Sequence, residues 1–68
     1  MPTNAERRLW AERALMVSPY EEYMPEDPET AITDLLADLM HYCQARDDLE
    51  FRIILQRAEY LYETDEED

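Results

Sequence analysis

The amino-acid sequence predicts an all-α domain of three helices, and two observations support this. Apolar residues recur at helical spacing in three segments, at about 4–17, 28–45 and 48–63. The residues that begin these segments are of the types that cap helices, and proline or acidic residues separate the segments. A chain of 68 residues forms one domain at most, so its apolar core is small.

The first helix is predicted to begin after Thr3. Thr3 and Glu6 have the spacing of a capping box, in which each side chain binds the other residue's backbone N–H. Ser18 precedes Pro19, and a residue in that position is disfavoured in the α conformation. The helix should therefore end near Val17.

The segment that follows, 18–27, contains two prolines and is predicted to be a connector without regular secondary structure. It also contains Tyr20, Tyr23 and Met24, which are unusual in a solvated loop. Two interpretations remain open. These side chains pack on the domain's own helices, or they belong to a partner interface, where Tyr and Met are enriched.

The second helix has a strong start signal in Asp27, Pro28 and Glu29, which suit the N-cap, the first turn and the positive end of the helix dipole. Its apolar residues form one stripe, predicted to face the core: Ile32, Leu35, Leu36, Leu39, Met40 and Cys43. Polar residues are predicted on the opposite side: Thr33, Asp34, Asp38 and His41.

The third helix is predicted to begin at residue 48 or 49, because Asp47 and Glu50 again have capping spacing. Its apolar residues cover more than half of its circumference: Leu49, Phe51, Ile53, Ile54, Leu55, Ala58, Leu61 and Tyr62. We therefore expect this helix to be the most buried, against its neighbours or a second chain, which favours a homodimer. The short connection predicts an antiparallel helical hairpin of the second and third helices, followed by an acidic tail at 64–68.

Charge is distributed unevenly along the chain, whose net charge is −12. Residues 1–17 carry two acids against three arginines, whereas residues 18–68 carry sixteen acids against three arginines. Such a surface repels nucleic acid and anionic membranes and attracts basic protein surfaces. We expect a protein partner with a basic surface, no direct nucleic-acid binding and no membrane association. The start of the chain does not resemble a signal peptide, which favours the cytoplasm of a bacterial host cell.

No catalytic, metal-binding or cofactor-binding residues are predicted, and the protein is not expected to be an enzyme. Asp38 and His41 lie one turn apart, but no nucleophile or second histidine accompanies them, so a surface ion pair is expected. Cys43 is the single cysteine; it lies on the apolar stripe and is predicted to be structural.

An acidic strip along the connector and the second helix is the candidate partner-binding site. Asp34 and Asp38 project one turn apart, about 6 Å along the axis, which is comparable to the intervals between DNA phosphates. The alternative is that the acidic residues serve only solubility. The predicted partner-binding residues are Tyr20, Glu21, Glu22, Tyr23, Glu26, Asp27, Glu29, Asp34 and Asp38.

Residues 31–63 resemble short acidic proteins of unknown function encoded on bacterial plasmids, phages and mobile elements. These tend to read DLLADL-x-H-[WY]-C, which matches Asp34 to Cys43, and to end with an aromatic residue and Glu, here Tyr62 and Glu63. The resemblance implies a mobile-element origin, where small acidic proteins often block host defence enzymes. The predicted function is inhibition of a nucleic-acid-binding defence protein, a CRISPR or restriction component, by mimicry of nucleic-acid charge. The alternative is a non-catalytic regulatory or adaptor module that binds a protein, or itself, through apolar and aromatic surface.

Overall fold

The computed structural model describes residues 2–64 and shows an all-α protein, as predicted. It contains α1 (Asn4–Leu15), a 3₁₀ helix (Tyr20–Tyr23), α2 (Pro28–Gln44) and α3 (Phe51–Thr64). The helix α2 contacts α1, the 3₁₀ helix and α3, so it is the central element. The position of every other element is therefore set by which face of α2 it covers.

The start of α1 is the predicted capping box. The Glu6 N–H donates to Thr3 Oγ1 at 3.1 Å, and the Thr3 N–H donates to Glu6 Oε1 at 2.9 Å. The helix ends at Leu15, earlier than the predicted Val17. The Met16 N–H closes the last turn by donating to the carbonyl three residues back, at 3.2 Å, and this tighter bond terminates the α-helical pattern.

The start of α2 also agrees with the prediction. Asp27 caps the helix by accepting from the Thr30 N–H at 3.3 Å and the Thr30 hydroxyl at 2.7 Å, and Pro28 occupies the first turn. The helix ends at Gln44, one residue before the predicted end, where the Ala45 N–H still bonds to a carbonyl one turn back at 3.2 Å.

The connector was predicted without regular structure, but Tyr20–Tyr23 forms a 3₁₀ helix. Its hydrogen bonds run from the Glu22 N–H to the Pro19 carbonyl at 3.2 Å and from the Met24 N–H to the Glu21 carbonyl at 3.1 Å. Both prolines lie outside Tyr20–Tyr23, so their missing N–H groups interrupt none of these bonds. The prediction was wrong because the number of prolines alone does not exclude a short 3₁₀ helix. Such a helix needs only the few N–H groups that donate within it, and here none of these belongs to a proline.

The start of α3 is Phe51, so the predicted start at residue 48 or 49 is wrong. Arg46 holds the preceding turn through a forked pair with Asp48, with Nε to Oδ1 at 3.2 Å and Nη2 to Oδ2 at 3.0 Å. The Glu50 carbonyl accepts the first helical bonds, so Glu50 precedes the helix instead of standing inside it. The predicted tail at 64–68 lies outside the described residues except for Thr64, the last residue of α3.

The buried core is very small. Within residues 2–64 only Leu15, Ala31 and Cys43 are buried. The helix α3, predicted to be the most buried, contains no buried residue, and beyond the half-buried Phe51 every position is exposed. Apolar residues around most of a helix predict that neighbouring elements cover it, but within residues 2–64 no element buries any residue of α3.

The helix α2 is rotated relative to the prediction. Its apolar stripe was expected to face the core, yet four of its members are between 41% and 53% exposed: Ile32, Leu36, Leu39 and Met40. Leu35 is half-buried, and so is Asp34, which was expected on the solvent side. The acidic side of α2 is therefore the side that the 3₁₀ helix partly covers.

The molecule is thin and expanded for its length. Its principal extents are 35 × 30 × 16 Å and its radius of gyration is 13.4 Å. A compact domain of this length has a radius of gyration of about 11 Å. The helices thus form an open arrangement with little interior.

Leu15→Ala tests whether the small core carries the stability of the fold. Truncating a buried leucine removes apolar contacts and leaves a cavity, so we expect a loss of about 2–4 kcal/mol in the free energy of unfolding. Leu9→Ala is the matched control, because Leu9 lies on the same helix and is 43% exposed. Urea unfolding followed by circular dichroism at equal protein concentrations measures both. Equal losses for the two variants would contradict the assignment of Leu15 to the core.

Candidate acidic interaction surface

The acidic residues of the 3₁₀ helix and of the first half of α2 are brought near each other, because these two elements pack together. No lysine or arginine occurs between residues 18 and 45 to balance this charge. We call these residues the acidic surface: Glu21, Glu22, Glu26, Asp27, Glu29, Asp34 and Asp38.

Two tyrosines attach the 3₁₀ helix to α2. The Tyr20 hydroxyl donates to Asp38 Oδ2 at 2.8 Å, and this hydrogen bond is the main reason why the pKa of Tyr20 is raised above 10.0. The pKa of Tyr23 is raised in the same way, chiefly by hydrogen bonding to Asp34 and then by the charge of that carboxylate. We call these two contacts, Tyr20 with Asp38 and Tyr23 with Asp34, the tyrosine clasp.

The spacing of the clasp residues matches the two helix types. Tyr20 and Tyr23 are three residues apart, which places them on one face of a 3₁₀ helix. Asp34 and Asp38 are four residues apart, which places them on one face of an α-helix. Of the two interpretations left open for the tyrosines, packing on the chain's own helix is the one the structure adopts.

The predicted site residues therefore divide into two groups. Those of the clasp have partners within the chain, and Asp27 caps α2. Four glutamates of the acidic surface are exposed, and none of their side chains takes part in a hydrogen bond or ion pair within the described residues: Glu21, Glu22, Glu26 and Glu29. These four carboxylates are available to a partner.

A groove lies where the end of α2 meets the start of α3. Its lining includes Met40, His41, Cys43, Leu49 and Phe51. His41 faces this groove, whereas the carboxylate of its predicted ion-pair partner is bonded to a tyrosine on the other side, so the expected ion pair does not form. Cys43 is buried, as its place on the apolar stripe predicted.

Within residues 2–64, no set of three or more His, Cys, Asp or Glu side chains is arranged to hold a metal ion. No helix in that range has the length and apolar character required to cross a bilayer.

Arg46 makes contacts that sequence reasoning missed. Besides its pair with Asp48, its Nη1 donates to the Tyr42 hydroxyl at 2.9 Å, and the guanidinium lies 5.8 Å from the centre of the Tyr42 ring. Hydrogen bonding to Asp48, and then to Tyr42, raises the pKa of Arg46. The signal in the sequence was the position of Tyr42, one helical turn before Arg46. These bonds join the end of α2 to the turn that leads into α3.

Large apolar side chains are exposed on all three helices. On α1 and just beyond it they are Leu9, Trp10, Met16 and Val17, at 43–54% exposure. On α3 they are Ile53, Ile54, Leu55, Tyr60, Leu61 and Tyr62, at 38–80% exposure. Side chains of this size are usually covered in a folded protein. Those of α3, apart from Tyr60, had been predicted to be buried against neighbouring helices or a second chain.

No protein-family model, curated protein sequence or solved structure matches this chain. The resemblance of residues 31–63 to mobile-element proteins therefore stays a prediction.

Alkaline pH is expected to destabilise the protein through the clasp. The pKa of both tyrosines is higher in the folded chain than in the unfolded chain, so their stabilisation is complete below pH 10.0. It is lost as the pH rises through the folded-state pKa. Thermal unfolding at a series of pH values measures this. The double variant Tyr20→Phe/Tyr23→Phe should melt at a lower temperature at neutral pH and lose less stability on passing to alkaline pH.

Tyr60→Phe is the control for this experiment, because Tyr60 is 69% exposed on α3. It should keep the pH profile of the unmodified protein. If the double variant kept that profile as well, the clasp would not be the source of the alkaline destabilisation.

Proposed function

We propose that the protein is a non-catalytic binding protein whose acidic surface occupies the basic, nucleic-acid-binding surface of another protein. The observation that supports this most is the charge of residues 18–45, which contain seven carboxylates and no lysine or arginine. Charge of one sign on a small surface attracts a surface of opposite sign and accelerates its encounter.

Rigidity supports the same proposal. A flexible acidic loop would lose conformational freedom on binding, which weakens association. Here the loop carrying Glu21 and Glu22 is a 3₁₀ helix that Tyr20 and Tyr23 attach to α2. The backbone that carries these carboxylates is therefore ordered before any partner arrives.

The carboxylates available to a partner are the exposed ones: Glu21, Glu22, Glu26 and Glu29. Phosphates carry one charge per about 3.4 Å of axis on each DNA strand, so the lysines and arginines that bind a nucleic-acid backbone are also closely spaced. Such basic side chains are suitable partners for these carboxylates. With the resemblance to mobile-element proteins, this favours a host defence protein, a restriction or CRISPR component, as the target.

Neutralising the exposed glutamates is the direct test. We expect Glu21→Gln/Glu22→Gln/Glu26→Gln to reduce capture of a basic nucleic-acid-binding protein from a bacterial lysate by about tenfold or more, and binding by the unmodified protein to weaken as salt rises. The matched control, Glu12→Gln/Asp47→Asn/Glu63→Gln, removes the same number of charges elsewhere. Mass spectrometry of the captured proteins gives the readout.

The captured protein is then tested with its nucleic acid, which should compete with this chain for one site. Equal capture by the two triple variants, or binding that does not change with salt, would contradict the proposal.

A second candidate function is favoured by the exposed apolar side chains of α1. Trp10 is 49% exposed, and tryptophan is among the residues that contribute most to protein interfaces. In this alternative the chain is an adaptor that binds a protein partner through α1, and its acidic residues serve solubility.

Trp10→Ala distinguishes the two functions. If the acidic surface carries recognition, the variant should bind the captured partner within about threefold of the unmodified protein, since its side chain lies outside that surface. A loss of about thirtyfold or more with an unchanged far-ultraviolet circular dichroism spectrum would favour the adaptor.

A further inference from the structure

We propose that α3 is a self-association helix: two copies of this chain pack the apolar faces of their α3 helices against each other, antiparallel, about a two-fold axis near Gln56. The inference is independent of the acidic surface and its partner. It rests on the exposed area, the pattern of apolar residues, the charge balance of α3 and the groove at its start.

The exposed area is too large for a compact monomer. The solvent-accessible surface is 5911 Å² for a chain of 8.2 kDa. A folded monomer of this mass exposes about 4,500 Å², so the excess is about 1,400 Å². The exposed apolar residues of α3 contribute to this excess together with those of α1 and α2. An interface of standard size buries about 800 Å² on each copy, which is less than the excess.

The apolar residues of α3 form one continuous face along its whole length. They follow the helical spacing i, i+3, i+4, i+7, i+10 and i+11: Phe51, Ile54, Leu55, Ala58, Leu61 and Tyr62. Beyond Phe51 all of them are exposed in the single chain. The polar residues Arg52 and Glu59 border this face on one side and Arg57 borders it on the other.

Charge allows two copies to meet at α3. Residues 18–50 carry ten acids against one arginine, so that part of one copy repels the same part of another. The helix α3 carries two arginines and two glutamates and is neutral. A foreign basic partner is attracted to the acidic region instead, which leaves a second copy as the occupant that suits a neutral apolar helix.

The antiparallel arrangement pairs the apolar layers on either side of the axis. With the axis near Gln56, Phe51 of one copy faces Leu61 of the other, and Ile54 faces Ala58. Arg52 of one copy then lies opposite Glu59 of the other, and the symmetry repeats this pair. When two antiparallel helices are related by a two-fold axis, the same flank of both helices lies along each edge of the interface. Arg52 of one copy can therefore pair with Glu59 of the other, although both residues lie on one flank of α3.

The groove beside Phe51 favours this direction. The same groove includes Met40 and Leu49, and it is open in the single chain. An antiparallel partner brings the end of its α3 to this point, where Leu61 and Tyr62 can enter it. Tyr62 is 80% exposed in the single chain. A parallel partner would bring these ends together and leave both grooves unfilled.

The first experiment measures the oligomeric state by multi-angle light scattering and sedimentation equilibrium across micromolar concentrations. The unmodified protein should be a dimer, and Leu61→Glu should raise the dissociation constant about thirtyfold or more, the factor expected for a central interface residue. Tyr60→Glu, on the opposite side of α3, should leave the dimer intact. A monomeric unmodified protein, or equal effects of the two variants, would overturn the proposal.

The second experiment tests the direction and register without relying on a single destabilising variant. Arg52→Glu places Glu opposite Glu59 twice in a homodimer, and Glu59→Arg places Arg opposite Arg52 twice, so each variant alone should dimerise less well. Mixed together, the two variants restore both opposite-charge pairs and should form a heterodimer, detectable by native mass spectrometry. If the heterodimer made up no more than the half of all dimers that random pairing gives, the antiparallel register would be wrong.

Discussion

The contacts that two tyrosines make with two aspartates hold the 3₁₀ helix against α2. Tyr20 donates to Asp38, and Tyr23 interacts with Asp34, so the 3₁₀ helix lies on the acidic side of the helix. Each side of a helix can pack against only one neighbouring element. Once the clasp covers the acidic side, the apolar stripe that includes Leu36 and Leu39 is left largely open. The small core and the exposed apolar surface both follow from this orientation.

Some of this structure follows directly from the sequence. The capping box of Thr3 and Glu6 and the start signal at Asp27 depend on atoms within one helical turn, and both are formed as predicted. The boundaries that were wrong lie where apolar spacing gives no signal. A bond to the carbonyl three residues back ends α1 at Leu15, and the turn before α3 contains the forked pair between Arg46 and Asp48.

The candidate site, like the fold, could be predicted from the sequence only in part. The concentration of acidic residues between 18 and 45 is visible in the composition, but the pairing of the tyrosines with Asp34 and Asp38 requires the 3₁₀ helix, which proline counting excluded. The apolar periodicity of α2 predicted a core-facing stripe because amphipathic helices in compact domains bury that side. That inference assumes that enough chain exists to cover the stripe, and 68 residues do not provide it here.

The acidic surface and the neutral helix α3 are different parts of the chain, and this affects how copies of the chain can associate. Apolar faces that associate without restraint form aggregates, whereas strong net charge of one sign keeps molecules apart. At physiological salt the range of this repulsion is about 8 Å, so it acts where acidic surfaces approach closely and weakens where they are distant. In the proposed dimer, the two copies pair through a neutral helix and not through their acidic regions. A further copy that approached through an acidic region would be repelled, so the same charge opposes larger assemblies formed through that region.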